Sequence, residues 1–231
     1  MSFQNPVFIP GPTNIPEALR KANDMPTIDH RSPRFGEILH PARAGVRKVM
    51  KSDDAEIFIF PSTGTGGWET ALTNTLSAGD KILAARNGMV SHRWIDMCQR
   101  HGLDVHVVET PWGEGVPADR YEDILTADTG HEIKAVLATP IETATGVKSD
   151  IAAVRRALDT AGHPALLFVD GVSSIASMDL RFGAWGVDVA VTGSQKGFML
   201  TAGFAIALGS GIAAAQQVYR ATPALGLQEA A

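Results

Sequence analysis

A chain of 231 residues, 45% apolar and 19% charged, has the make-up of a globular protein with a sizeable core. Its formal net charge of −5 gives no electrostatic case for nucleic acid or an anionic membrane as partner. The single cysteine, Cys98, excludes an intrachain disulfide framework, has no CxxC partner and reads as a small buried hydrophobe.

The first residues, MSFQNPVFIPGPTNIP, lack the basic start and long apolar core of a signal peptide. No apolar run is long enough to span a bilayer, so the cytoplasm is the expected compartment. Further along, residues 56–60 (EIFIF) predict a strand, 63–67 a tight Gly/Thr turn and 68–76 a helix. A second strand over 81–85 precedes a helix over 91–101, and strands follow over 105–108 and 134–138. Ser149 or Asp150 can cap a helix running to residue 161, with Ile151, Val154 and Leu158 along one face. Residues 165–169 and 187–191 predict a fifth and a sixth strand, and 221–231 look frayed.

Strands that alternate with helices and are apolar throughout imply an α/β fold, a mostly parallel sheet with helices on both faces. Ligands of such sheets gather at the carboxyl ends of the strands. That places Thr63-Gly64-Thr65, Asn87-Gly88, Asp170 and Lys196 at the functional edge. The turn STGTGG is neither a Walker loop nor a dinucleotide fingerprint: no Lys-Ser/Thr follows it, and Glu69 stands where a third glycine belongs. Two readings are open for it, a structural turn or a cup for one phosphate group. On that turn alone, an unrelated phosphate or nucleotide binder is a third function class, but it leaves Asp170 and Lys196 unexplained.

Asp170 can cap the turn it begins, and Lys196 can be a solvated surface charge. Together at strand ends, with a phosphate cup, they match what pyridoxal 5′-phosphate requires. A lysine forms the Schiff base, a carboxylate keeps the pyridine nitrogen protonated, and the turn holds the phosphate.

The segments PGPTNIP, MPTIDHRSP, PSTGTGGWE, ETATG, VDGVSS and GSQKGFML, in that order, resemble the class V (fold type I) aminotransferases, nearest the serine–glyoxylate and aspartate–glyoxylate enzymes. The resemblance implies a fold type I large domain over 1–208, with residues 1–30 as an N-terminal arm, a residual tail over 209–231, and a homodimer. By the same resemblance Lys196 is the catalytic lysine that holds the cofactor and then shuttles a proton. Asp170 is the pyridinium partner. Thr63, Gly64, Thr65 and Gln195 surround the phosphate, Thr143 stands beside the phenolic oxygen, and Asn14 lies on the substrate side. His30 and Arg31 have surface or interface roles, and no metal is expected. The implied reaction moves an amino group from a small amino acid, serine or aspartate, to the 2-oxo acid glyoxylate.

Local departures accompany the likeness. Relatives read His-Asn before the glutamate of ETATG, where this chain has Pro140-Ile141, and Leu-Pro-Pro-Gly where it has Leu200-Thr201-Ala202-Gly203. The aromatic ring that relatives stack on the cofactor is matched by Val90, while Trp94 has the spacing of a core residue. The stretch IALGSGIAAAQQVYR resembles the far C-terminal end of relatives, so the chain reads as internally shortened, its small C-terminal domain largely absent. The arginine that clamps the substrate carboxylate goes with that domain; Arg220 reads as a solvated helix-end residue. The alternative function is therefore a non-catalytic relative that folds and binds cofactor or a partner without turnover.

Overall fold

The computed structural model describes residues 6–210. Seven strands form its main sheet: β1 (Glu56–Pro61), β2 (Lys81–Arg86), β3 (Asp104–Glu109), β4 (Ile133–Ala138), β7 (Leu166–Asp170), β8 (Val189–Gly193) and β9 (Phe204–Gly209). A two-stranded hairpin, β5 (Ile141–Glu142) with β6 (Val147–Lys148), stands apart from it. The sheet order is β1-β9-β8-β7-β4-β2-β3. Neighbours from β8 to β3 pair parallel, whereas β9 is antiparallel to both β8 and β1. Because both partners of β9 run against it, β1 runs in the same direction as the parallel strands. All the predicted functional strand ends therefore share one edge of the sheet.

Helices cover both faces because strand residues alternate between them. Ile82, Ala84, Leu137, Phe168 and Val191 point to one side, where they meet Trp68 and Leu72 of α3 (Gly64–Thr75) and Trp94, Ile95 and Cys98 of α4 (Met89–Arg100). Trp68 and Trp94 stack there, ring centroids 5.7 Å apart, so Trp94 is the core residue its spacing predicts. Leu83, Val136, Leu167, Ala190 and Ile206 point to the other side. They meet α2 (Pro33–Met50) through Val46 and Met50, α5 (Ala118–Ala127) through Tyr121 and Leu125, and α6 (Ile151–Thr160) through Ile151, Val154 and Leu158. Asp150 caps α6, its Oδ1 accepting the Ala153 N–H at 3.0 Å. The short α1 (Glu17–Asn23) buries none of its residues.

Two expectations need correcting. The predicted turn over 63–67 is the first turn of α3, which begins at Gly64 rather than Trp68. The sixth strand starts at Val189 because Asp188 turns back onto β7: its N–H donates to the Leu167 carbonyl and its Oδ2 accepts the Leu167 N–H. Part of the stretch matched by sequence to a C-terminal end lies in β9, an unpredicted strand between β1 and β8. Arg220 and the tail over 221–231 lie outside the described residues, among which no helix is long and apolar enough to cross a membrane.

Candidate active site

Lys196 sits in the turn that follows β8, and the N-terminal segment closes over it. Thr13 donates its N–H to the Gln195 carbonyl at 3.1 Å and its hydroxyl to the Lys196 carbonyl at 3.3 Å. Gly11, with φ +142°, lies so close to the lysine that a Cβ there would fall 2.5 Å from Lys196 Cδ and 3.1 Å from Nζ. Asn14, three residues beyond Gly11, accepts the Val7 N–H at 2.7 Å and belongs to this covering segment. The far side of the lysine turn is equally tight. A Cβ on Gly197 would stand 2.3 Å from the Ile175 carbonyl oxygen and 2.6 Å from the Ser177 nitrogen, both backbone atoms that cannot swing aside. Gly197→Ala should therefore destabilise the chain by about 1–3 kcal/mol, read as a lower urea midpoint at unchanged slope.

Asp170 closes β7, beside β8, and is buried with 3% of its surface exposed. Burial pushes its carboxyl up to about 6, opposed by the Val172 N–H that it accepts at 3.0 Å. The Trp68 indole faces the carboxylate and also lowers it, although Nε1 completes no hydrogen bond of normal geometry. The charge of Glu142 raises it and that of Lys196 lowers it. The arrangement is a desolvated carboxylate at the end of β7, within reach of the charge of Lys196 in the turn after β8.

The start of α3 completes the third side. Thr63 is its N-cap in extended conformation, yet no side chain caps the helix. The first-turn N–H groups of a helix have no intrahelical partners, so they point outward toward whatever faces them. Glycine is required here for proximity: a Cβ on Gly64 would fall 2.6 Å from Val172 Cγ2, and one on Gly67 2.3 Å from Val191 Cγ1. These contacts seat the Thr63-Gly64-Thr65 corner against the turn after Asp170 and against β8. Thr143, in the β5–β6 hairpin, shares a 2.6 Å hydrogen bond with Ser173 of the same Asp170 turn. Gln195 Oε1, Thr192 Oγ1 and Ser174 Oγ are buried without a hydrogen-bond partner among the described residues.

The structure thus gathers Lys196, Gln195, Asp170, Thr143 and the Thr63–Thr65 corner at one edge, with Asn14 on the covering segment. The side chains of His30 and Arg31 are largely exposed and face Asp29. Val90 is half-buried at the start of α4, and Pro140 leads into β5, which Ile141 begins. Sequence reasoning passed over Gly11, Thr13, Ser173 and, above all, Glu142, a buried carboxylate inside the quoted ETATG.

This sheet, with one reversed strand and a lysine–carboxylate pair at its carboxyl edge, defines the large domain of a fold type I transferase. The chain belongs to the class-V aminotransferase family, whose model matches residues 17–218. It is 79% identical over 206 residues to L-aspartate–glyoxylate aminotransferase of Paracoccus denitrificans, covering 89% of this chain and 52% of that protein. It is 57% identical to serine–glyoxylate aminotransferase of Hyphomicrobium methylovorum, covering 87% of this chain and 49% of that one. The chain thus spans about half the length of the curated relatives it matches. Among solved structures, alanine–glyoxylate aminotransferase from Nostoc sp. superposes with a TM-score of 0.81 at 27% identity, over 95% of this chain and 58% of that one. An aspartate aminotransferase of subgroup IV from Thermus thermophilus gives 0.84 at 25% identity, over 92% of this chain and 59% of that one.

Proposed function

We propose that this chain binds pyridoxal 5′-phosphate and takes part in moving an amino group from a small amino acid to glyoxylate. The observation that carries the reading is Lys196 and the buried Asp170 at the carboxyl ends of adjacent strands, with the uncapped start of α3 packed on the turn after Asp170. The donor set fits the cofactor group by group. A dianionic phosphate suits the free N–H groups and hydroxyls of Thr63-Gly64-Thr65 at the positive end of α3. An aldehyde suits an amine, and a protonated ring nitrogen suits a buried carboxylate. The fit also explains why Asp170 is retained where burial disfavours its charge: a cationic partner would repay that cost.

When bound, the cofactor supplies an electrophilic carbonyl and a ring that withdraws electrons from the substrate carbon. The chain's own residues do the rest. With the cofactor bound, Asp170 in its ionised form would pair with the ring nitrogen. Lys196 Nζ would accept and return the proton removed from the substrate carbon, its turn held by Thr13 and its stem packed against Gly11. Thr143, fixed by Ser173, would offer a hydroxyl to the ring's oxygen, and Gln195 would serve the phosphate. In this reading Asn14 serves the substrate side, and residues 1–208 are the cofactor-binding domain. Exposed Val7, Phe8 and Ile9, with an α1 that buries nothing, favour a second copy of the chain as partner.

Between amino donors, 79% identity to an L-aspartate–glyoxylate aminotransferase against 57% to a serine–glyoxylate aminotransferase favours aspartate. The test is a pair of half-reactions. The full chain loaded with pyridoxal phosphate should gain a visible band that L-aspartate bleaches and glyoxylate restores. No band overturns cofactor binding. A band that neither L-aspartate nor L-serine bleaches leaves a cofactor-binding chain without turnover.

A further inference from the structure

Glu142 is fully buried, 0% exposed, and both of its carboxylate oxygens are engaged by backbone. Oε1 accepts the N–H groups of Val90 and Ala144, each at 3.1 Å, and Oε2 accepts that of Ser91 at 3.1 Å. Val90 and Ser91 belong to the first turn of α4, whose N-cap is Gly88 and whose free N–H groups are thus met by a carboxylate 52 positions beyond Val90. A carboxylate at the positive end of a helix, with three N–H donors, can offset the cost of its burial. An ordinary Ser or Asp N-cap would satisfy the same helix without burying a charge. What Glu142 does in addition is join two elements. Ala144 lies in the β5–β6 hairpin, so one carboxylate holds that hairpin against the start of α4.

Gly88 is shaped to this carboxylate. A Cβ there would fall 2.2 Å from Glu142 Cγ and 2.3 Å from Cδ. Its φ of 171° is extended backbone open to any residue, so conformation does not demand glycine at this position. The Glu142 side chain does. Of the two elements joined here, the hairpin carries Thr143, tied to Ser173 after Asp170, and the start of α4 carries Val90, which the family resemblance matches to the ring-stacking position. The charge of Glu142 is also felt at Asp170.

We infer that Glu142, seated on Gly88, is a positioning residue that sets where Thr143 and Val90 stand around the cofactor. The inference rests on the reading of Asp170 and Lys196 as a pyridoxal-phosphate site. It concerns geometry transmitted through backbone, since both Glu142 oxygens are engaged by backbone N–H groups.

The experiment titrates the full chain with pyridoxal phosphate, following the visible band and its induced circular dichroism, which reports ring orientation. Glu142→Ala and Gly88→Ala are each expected to weaken binding about 10-fold or more and to reduce the dichroism at saturation. Glu142→Gln keeps an oxygen for Val90 and Ala144 but loses the Ser91 bond, so it should weaken binding only about 3-fold. In the Glu142→Ala background, Gly88→Ala should add almost nothing, because the atoms it collides with are gone. Parental affinity and dichroism in the single variants, or effects that add in the double, overturn the inference. If neither alanine variant folds, Glu142→Gln decides alone, and parental behaviour there overturns it. No band in the parent chain brings down the cofactor reading itself, an outcome distinct from a parental band that the variants leave unmoved.

Discussion

Replacing Lys196 by alanine should abolish the visible band that the parent chain gains with pyridoxal phosphate, while the fold survives. The lysine is half-buried in a turn whose backbone bonds, Met199 N–H to the Lys196 carbonyl and Leu200 N–H to the Ser194 carbonyl, do not involve its side chain. Truncation therefore removes an amine without unmaking the turn. It leaves a void beside Gly11, worth far less than a core cavity because the segment covering it is itself exposed. The phosphate corner and Asp170 remain, so some non-covalent affinity should persist, weaker by roughly 100-fold or about 3 kcal/mol. The control is the rest of the lysines. Lys21, Lys51 and Lys81 are engaged by Glu17, Asp179 and Glu132 on the surface and can give only weak adducts with an aldehyde. Absorbance at matched protein concentration separates the two cases. An undiminished band in Lys196→Ala would mean that the cofactor attaches elsewhere and that Lys196 is a surface charge after all. Loss of Lys196 also removes a cation that lowers Asp170, so the variant's Asp170 carboxyl should lie still higher than in the parent.

Much of this site could be read from the chain because its parts lie at ends of apolar runs. ALLFVD and VDVAVTG leave little choice about where Asp170 and Lys196 emerge once the sheet is taken as parallel. The reading failed where tertiary contact overrode local preference. Gly64-Thr65-Gly66-Gly67 has poor helix propensity, so it reads as a turn. It becomes helix because only residues without a Cβ let α3 approach Val172 and Val191 so closely. β9, rich in alanine and glycine, carries a weak strand signal by composition, and it gains its place from pairing on both edges. Glu142 was hidden for a different reason. Its partners, Val90 and Ser91, are fifty residues away in sequence, and nothing in ETATG says that the carboxylate turns inward.

Asp170→Asn should make the cofactor-free chain more stable at neutral pH while crippling the cofactor-loaded one. Burial raises the Asp170 carboxyl from its ordinary 3.8 to about 6. Between those values the folded chain holds a proton that the unfolded chain has already released. Stability therefore falls as pH rises from about 4 to about 6, and the loss is complete above that range. The displacement corresponds to roughly 3 kcal/mol. Asparagine keeps an oxygen for the Val172 N–H and never ionises, so it escapes this cost. Urea unfolding of the cofactor-free protein should show the variant ahead by about 1–3 kcal/mol at pH 7.5, with the gap narrowing as pH is lowered toward 4. A variant equal to or less stable than the parent at pH 7.5 would contradict the raised carboxyl. With pyridoxal phosphate present the order should reverse, because a ligand that binds only the folded state stabilises it by RT ln(1 + [L]/Kd) and so favours the tighter-binding chain. The parent offers the ring nitrogen a carboxylate, and the variant offers only a neutral amide. A residue that burdens the empty fold and strengthens the filled one is what a binding carboxylate looks like in stability measurements, and a merely structural turn cap would improve both.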